Sequence, residues 1–294
     1  MNKSFTLIEI LVVIVVIGIL SAFILVGMSS ISSKASIAKG QVFANSLRNA
    51  LLLSLISEWK MDENTGTVLY DNWKGENDGL LTNFDFNSSS GWRTGSQCVS
   101  GSCLQFDGSN DNVDFGEASN TISNKITIET WINPDLTAST ADLISKWQGS
   151  GGFSLTRYLK NTILFVYSNS YYLYANDCLE SNRWTQIIYT IDNSTSGSTI
   201  LKSYVNGKYW SGNTRNTDIG STSNSLTLTR YGTYGAYFKG YMDETRIYTN
   251  IASVQKINEK YYSGLNKLFK GGGIVLEEFN QRLVELKNNL ANNE

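Results

Sequence analysis

Few side chains in this sequence can do chemistry, and Glu9 stands out among them. It precedes an apolar run, Ile10 to Met28, of about nineteen residues, long enough to cross a bilayer. A carboxylate there costs free energy in lipid unless a cation pairs with it, which marks it as functional. Histidine is absent from all 294 residues. Triads with a histidine base and imidazole metal sites are therefore excluded. Glycoside hydrolysis needs two carboxylates facing one cleft. Asp243 and Glu244 are adjacent, which on a regular strand sends them to opposite faces. Glu129 and Asp135 are separated by a proline turn at Pro134. Neither pair suits that chemistry, so no enzyme activity is expected.

Cys98 and Cys103 flank Val-Ser-Gly-Ser, a turn-forming tetrad. A disulfide across that loop suits a domain outside the cytoplasm. The alternative is two reduced, buried thiols, and the state of Cys178 is open. Trp131 and Trp184 lie inside strand patterns and are expected in the core. Trp147, Tyr158, Tyr171, Tyr172, Tyr174 and Trp210 lie nearer loops. Flat aromatic faces there can stack on sugars, although tyrosine also suits an exposed sheet surface. Net charge is −2, which gives no electrostatic case for a nucleic-acid partner.

Three kinds of element must position these residues, giving an α+β chain. The first is a long helix over about 5–57, spanning the membrane at about 7–28. Ile31, Ala35, Ala38 and Val42, then Leu47, Ala50, Leu51 and Ser54, carry a helical stripe past the apolar run. At 1.5 Å per residue the helix is roughly 80 Å long. A secretory signal peptide would have a shorter core and a small-residue cleavage site after it.

The second element is an antiparallel β-sandwich, a jelly roll, over 58–262. Ile126 to Ile132 alternates and stops at Asn133-Pro134-Asp135. Trp184 to Ile191 is another strand, and Asn206-Gly207 marks a tight hairpin. The third is a helical tail over 263–294. Leu276, Phe279, Leu283, Leu286 and Leu290 alternate spacings of three and four. The tail resembles short C-terminal helical hairpins, with Leu265, Leu268 and Phe269 facing the second helix. It is either a lid on the head or a contact between subunits.

Two family resemblances add to this reading. The first residues, Asn2-Lys3-Ser4, then Phe5-Thr6-Leu7-Ile8-Glu9, resemble the N-terminus of type IV prepilins and pseudopilins. The resemblance implies a leader over 1–4, cut between Ser4 and Phe5 by the prepilin peptidase, and methylation of the new amine. The family usually has glycine where Ser4 stands. It further implies that Glu9 pairs with the Phe5 amine of a neighbouring subunit during assembly. The implied partners are other copies or other pilins and the pilus assembly machinery. The implied location is the cytoplasmic membrane first and the cell surface afterwards.

From Trp59 to Val254 the chain resembles laminin G-like domains of the concanavalin A-like jelly-roll superfamily. The motifs are Trp59 to Gly66, Leu104 to Val113, Ile126 to Pro134, Trp184 to Asp192 and Gly240 to Tyr248. The resemblance implies an adhesive or glycan-binding head. It also implies calcium, for which Asp107 and Asp243 are the candidate ligands. The expected role is a filament subunit assembled through its N-terminal helix. The alternative is a membrane-anchored carbohydrate-binding protein that does not polymerise.

Overall fold

The computed structural model describes residues 54–291 apart from 119–122, 138–139, 149–150, 160, 168–170, 217–219, 221 and 231–236, and also the helical Ile14. The chain divides into two compact units, 1–53 and 54–294. The leader, Ser4, Phe5, Glu9 and, apart from Ile14, the membrane span lie outside the described residues. Among the described residues no helix is long and apolar enough to cross a membrane. Leu55–Trp59 is a strand, so the helix expected to reach Ser57 does not include residues 55–57. Its apolar stripe continues through Leu55 and Ile56. Long-range pairing with Thr245, Arg246, Ile247 and Tyr248 overrides that local pattern.

The second unit is two antiparallel sheets packed face to face. The first sheet runs β14 (Lys208–Arg215), β13 (Ser198–Val205), β12 (Thr185–Thr195), β7 (Lys125–Pro134), β16 (Lys239–Tyr248), β5 (Ser102–Asp107) and β4 (Gly91–Thr94). The entry strand β1 (Leu55–Trp59) also pairs with β16. The second sheet runs β11 (Tyr171–Ala175), β10 (Thr162–Tyr167), β9 (Gly151–Tyr158), β8 (Ala141–Gln148), β15 (Thr227–Leu228), β6 (Asn112–Asp114), β3 (Gly79–Thr82) and β2 (Val68–Leu69). The period-2 alternation seen in the sequence is what fills the space between them. Ile126, Ile128 and Ile132 of β7 and Ile187, Tyr189 and Ile191 of β12 meet Phe153, Leu155, Ile163 and Phe165 of the second sheet. The β13–β14 hairpin turns at Asn206 (φ 50°) and Gly207 (φ 77°), the two positive φ angles a type I′ turn requires.

Two helices cover the outer face of the first sheet. Ser253 caps α1 (Val254–Lys270), its side chain accepting from the Lys256 N–H, and α2 (Leu276–Ala291) follows. Leu265, Leu268 and Leu286 bury against Trp131 and Trp184, forming a second apolar cluster. Phe269 stacks on Phe279 at 4.7 Å. The tail is thus a lid on its own head. Trp131 stacks on Tyr261 at 5.8 Å. A Cβ on Gly264 would lie 2.4 Å from the Trp131 ring, so this close helix–sheet approach requires glycine.

One buried acid gives the fold a pH dependence. Asp142 of β8 is 2% exposed. Its Oδ1 accepts from Ser154 Oγ at 3.0 Å and Thr156 Oγ1 at 2.6 Å, and its Oδ2 has no hydrogen-bond partner. Burial pushes its carboxyl up from 3.8 to about 6. The folded state therefore holds this proton more tightly than the unfolded chain does. The resulting stability is full below about 3.8 and is lost as pH rises through about 6. The loss is on the order of 3 kcal/mol. Asp142→Asn, isosteric with the protonated acid, should be more stable than wild type at pH 7.5 and equal to it near pH 3.5 in urea denaturation. A variant that matches wild type at both values would refute the assignment.

Candidate functional site

The outer face of the first sheet carries a cluster of ion-paired charged groups. Beneath α1, Glu129 of β7 accepts from Lys260 Nζ at 2.7 Å and from Gln186 Nε2 at 3.0 Å. Arg246 of β16 donates through Nε to Glu58 Oε1 at 2.7 Å and also pairs with Glu244. Lys267 reaches Glu244 at 2.5 Å. Burial alone would raise the Glu129 carboxyl, but Lys260 and Arg246 outweigh it and hold the group below its ordinary range. The cluster joins three acids, Glu58, Glu129 and Glu244, to Arg246, Lys260 and Lys267, with Lys60 also 3.7 Å from Glu58.

Asp243 and Glu244 do not point to opposite faces. Between Asp243 and Arg246 the register against β7 slips by a residue, since Asp243 opposes Trp131 and Arg246 opposes Glu129. Glu244 takes φ 50° at this bulge, and a bulge re-aims side chains. Both carboxyls therefore sit on the helix-covered side. Asp243 Oδ2 accepts the N–H groups of Val99 and Ser100 at 2.9 and 3.1 Å. Burial, with Glu244 alongside, raises the Asp243 carboxyl well above its ordinary value. Both acids are buried and committed to these structural contacts.

The two candidate calcium ligands are not brought together. Asp107 opposes Lys239 on β16, four residues along that strand from Asp243. Asp107 Oδ1 instead caps the turn by accepting from the Ser109 N–H at 2.7 Å, so the pair does not fit one calcium ion. Cys98 and Cys103 are bonded, with Cα atoms 5.4 Å apart. Cys178 is a free thiol that burial pushes up to about 12.

At the far end of the same face a cleft of about 290 Å³ opens beside the link between α1 and α2. Tyr241 and Asn133 are register neighbours on β16 and β7 and form its floor with Trp184. Asn182 and Arg183 form one side, and Ile274, Glu278 and Arg282 of the hairpin form the other. Arg282 is buried. It donates to the Trp184 carbonyl at 2.8 Å and, through Nη2, to Glu278 at 2.6 Å. Arg183 pairs with Glu180 at 2.5 Å and with Glu278 at 3.3 Å. Each guanidinium thus has a carboxylate partner. The Trp184 indole is spent on the Gln97 carbonyl at 3.0 Å. Two features remain for a ligand, the partly exposed Tyr241 ring and the Asn133 Oδ1, which is buried with no hydrogen-bond partner. An aromatic face beside an unpaired acceptor suits a small polyhydroxyl ligand.

The sequence reading found Trp184 but gave it a core role, and the indole is 4% exposed. Asn133 read only as a turn residue. Tyr241, placed in a motif, gave no sign of facing a cleft. Arg183 and Arg282 are 99 positions apart, and only the helical lid brings them together. Of the aromatics expected near loops, Trp147 is buried. Tyr158, Tyr172 and Tyr174 gather at the β9–β11 edge of the second sheet, with ring separations of 5.9 and 6.2 Å. Trp210 is tied through its indole to the Asn176 carbonyl.

Comparison with curated proteins finds no match. Among solved structures, one similar domain is domain 4 of AbnA, a GH43 extracellular arabinanase from Geobacillus stearothermophilus, in complex with arabinotriose. It is 18% identical, with TM-score 0.54, over 70% of this chain and 97% of that one. Another is the ligand binding domain of botulinum neurotoxin serotype D in complex with N-acetylneuraminic acid. It is 14% identical, with TM-score 0.57, over 74% of this chain and 52% of that one. The binding domain of Paraclostridial Mosquitocidal Protein 1 is 13% identical, with TM-score 0.56, over 74% and 53%. The chain therefore spans about half the length of these two binding domains. At such identities the likeness is one of fold. Residues 1–25 match the prokaryotic N-terminal methylation motif, and residues 107–258 match the family model described as concanavalin A-like lectin/glucanases superfamily. The chain belongs to the concanavalin A-like lectin/glucanases superfamily and carries the methylation motif of type IV pilins at its amino terminus.

Proposed function

We propose that this protein is a subunit of a type IV pilus-type surface filament whose head binds carbohydrate. The observation that carries the reading is the union in one chain of the N-terminal methylation motif with a lectin-like head. The prepilin peptidase cuts before Phe5, and the mature helix waits in the cytoplasmic membrane. On assembly the Glu9 carboxylate of an incoming subunit pairs with the Phe5 amine of its neighbour. Each charge is costly alone in lipid, and the pair offsets both costs.

The head binds and does not hydrolyse. Asp243 and Glu244 hold the fold together and face no open cleft. Two of the similar domains are described with arabinotriose and with N-acetylneuraminic acid, which supports a sugar as the class of ligand. In this chain the cleft at Asn133 and Tyr241 takes it, the ring stacking on a pyranose and Asn133 Oδ1 accepting from a hydroxyl.

Electron microscopy of filaments sheared from native cells, with mass spectrometry of their protein, tests assembly. The expected result is this chain in the filaments with a methylated Phe5. Its retention in the membrane fraction alone would favour an anchored, non-polymerising binder. Glycan arrays on the full-length chain test binding. Tyr241→Ala should weaken the best ligand about tenfold. Binding that survives both Tyr241→Ala and Asn133→Ala would place the ligand elsewhere.

A further inference from the structure

A second pocket, of about 330 Å³, lies between the loop after β1 and β4 with the loop that precedes it. Asn64, Thr65 and Gly66 form one wall, and Phe86, Trp92 and Arg93 the other. The two walls are tied together, because the Trp92 indole donates to the Gly66 carbonyl at 2.9 Å. Trp92 is itself packed on the core, which fixes the wall.

Phe86 is held in the pocket against its own preferences. It is 46% exposed and takes φ 51°, a region that a bulky residue rarely adopts. Gly91 makes this possible, because a Cβ there would lie 2.8 Å from the Phe86 ring. An exposed aromatic kept in a strained conformation is what ligand clamps display.

Arg93 supplies the charge. Its guanidinium donates through Nη1 to the Trp92 carbonyl and through Nη2 to the Asn87 carbonyl, both at 2.7 Å. Among the described residues no carboxylate pairs with it, and a guanidinium has five N–H donors. The acids of the two loops are engaged elsewhere. Asp62 Oδ1 takes the Ser102 N–H at 2.9 Å, and Glu63 Oε1 takes the Tyr70 N–H at 3.0 Å. Asp85 Oδ2 faces the Asn87 amide at 3.5 Å.

We propose that this pocket binds a carboxylate-bearing sugar, its acid on Arg93 and its ring on Phe86 and Trp92. The inference rests on the reading of the head as a carbohydrate binder, and it assigns a second site that prefers an anion, unlike the charge-neutralised cleft. Bare guanidinium donors favour an anion, and the flat aromatic wall favours a ring over a simple anion.

Calorimetric titration of the full-length chain in detergent compares three probes, glucuronic acid, glucose and acetate. Glucuronate should bind at least about tenfold tighter than either of the others. Arg93→Gln should abolish the preference over glucose. Phe86→Ala removes an exposed side chain, so it should leave the melting temperature unchanged and weaken glucuronate about tenfold. It carries the test if Arg93→Gln disturbs the fold. Equal binding of glucose, equal binding of acetate, or a folded Phe86→Ala with full affinity would each overturn the assignment. If glucuronate fails while Tyr241-dependent glycans still bind, only this pocket falls. If no glycan binds anywhere, the carbohydrate reading of the head falls with it.

Discussion

Arg246→Ala should cost about 3–5 kcal/mol, the range for breaking a buried ion pair by removing one partner. The reason lies in what remains. Arg246 touches Glu58 and Glu244 and lies 3.7 Å from Glu129. Glu129 and Glu244 are almost fully buried. Without the guanidinium, Glu129 would keep Lys260, Glu244 would keep Lys267, and Glu58 would keep only Lys60 at 3.7 Å. Such a loss approaches the whole stability of an ordinary domain.

The dependence on acid has its own sign. Glu129 and Glu244 are held below the ordinary 4.5, because their cations outweigh burial. Their contribution is present above about 4.5 and is lost as pH falls through the lowered values. Arg246→Ala should therefore weaken the protein most above pH 5, read as a shift of the urea midpoint. Combining it with Glu129→Gln and Glu244→Gln should recover part of the loss. An unchanged midpoint in the single variant would mean that the cluster contributes nothing net.

Glu9→Ala should leave the head folded and the chain in the membrane, yet lower its incorporation into filaments more than about tenfold. The head, residues 54–294, is a compact unit with its own core, and position 9 is not part of that unit. Removing an acid from an apolar segment, if anything, improves partition into lipid. What is lost on the proposed pairing is the partner of the neighbouring subunit's amine, which is then left charged and alone in a low-dielectric setting. Quantitative immunoblots of sheared filaments against membranes measure the ratio. A wild-type ratio would end the pairing proposal, whatever the head does.

Much of the fold was legible in the sequence because it is written in local patterns. The alternation through Ile126 to Ile132 and the Asn206-Gly207 turn each depend on a few neighbouring residues. The features missed depend on distant ones. Leu55 and Ile56 carry apolar side chains that suit a helix stripe as well as a strand, and only the facing strand β16 decides between them. The bulge at Glu244 leaves no mark in composition, yet it reverses the direction of one carboxylate. Arg93 and Phe86 look like ordinary surface residues until the hydrogen bond from the Trp92 indole to the Gly66 carbonyl joins their segments to the loop after β1.

The entry strand also has a mechanical consequence. Any tension carried by residues 1–53 reaches the head at Ser54, whose carbonyl accepts from the Thr249 N–H at 2.7 Å. From there the load passes to β1, whose partner is the closing strand β16. The Glu58–Arg246 contact ties the two strands side chain to side chain. The same Arg246 that neutralises the buried Glu244 therefore also resists peeling of β1, and a weakened clasp would let β1 yield before the sandwich does.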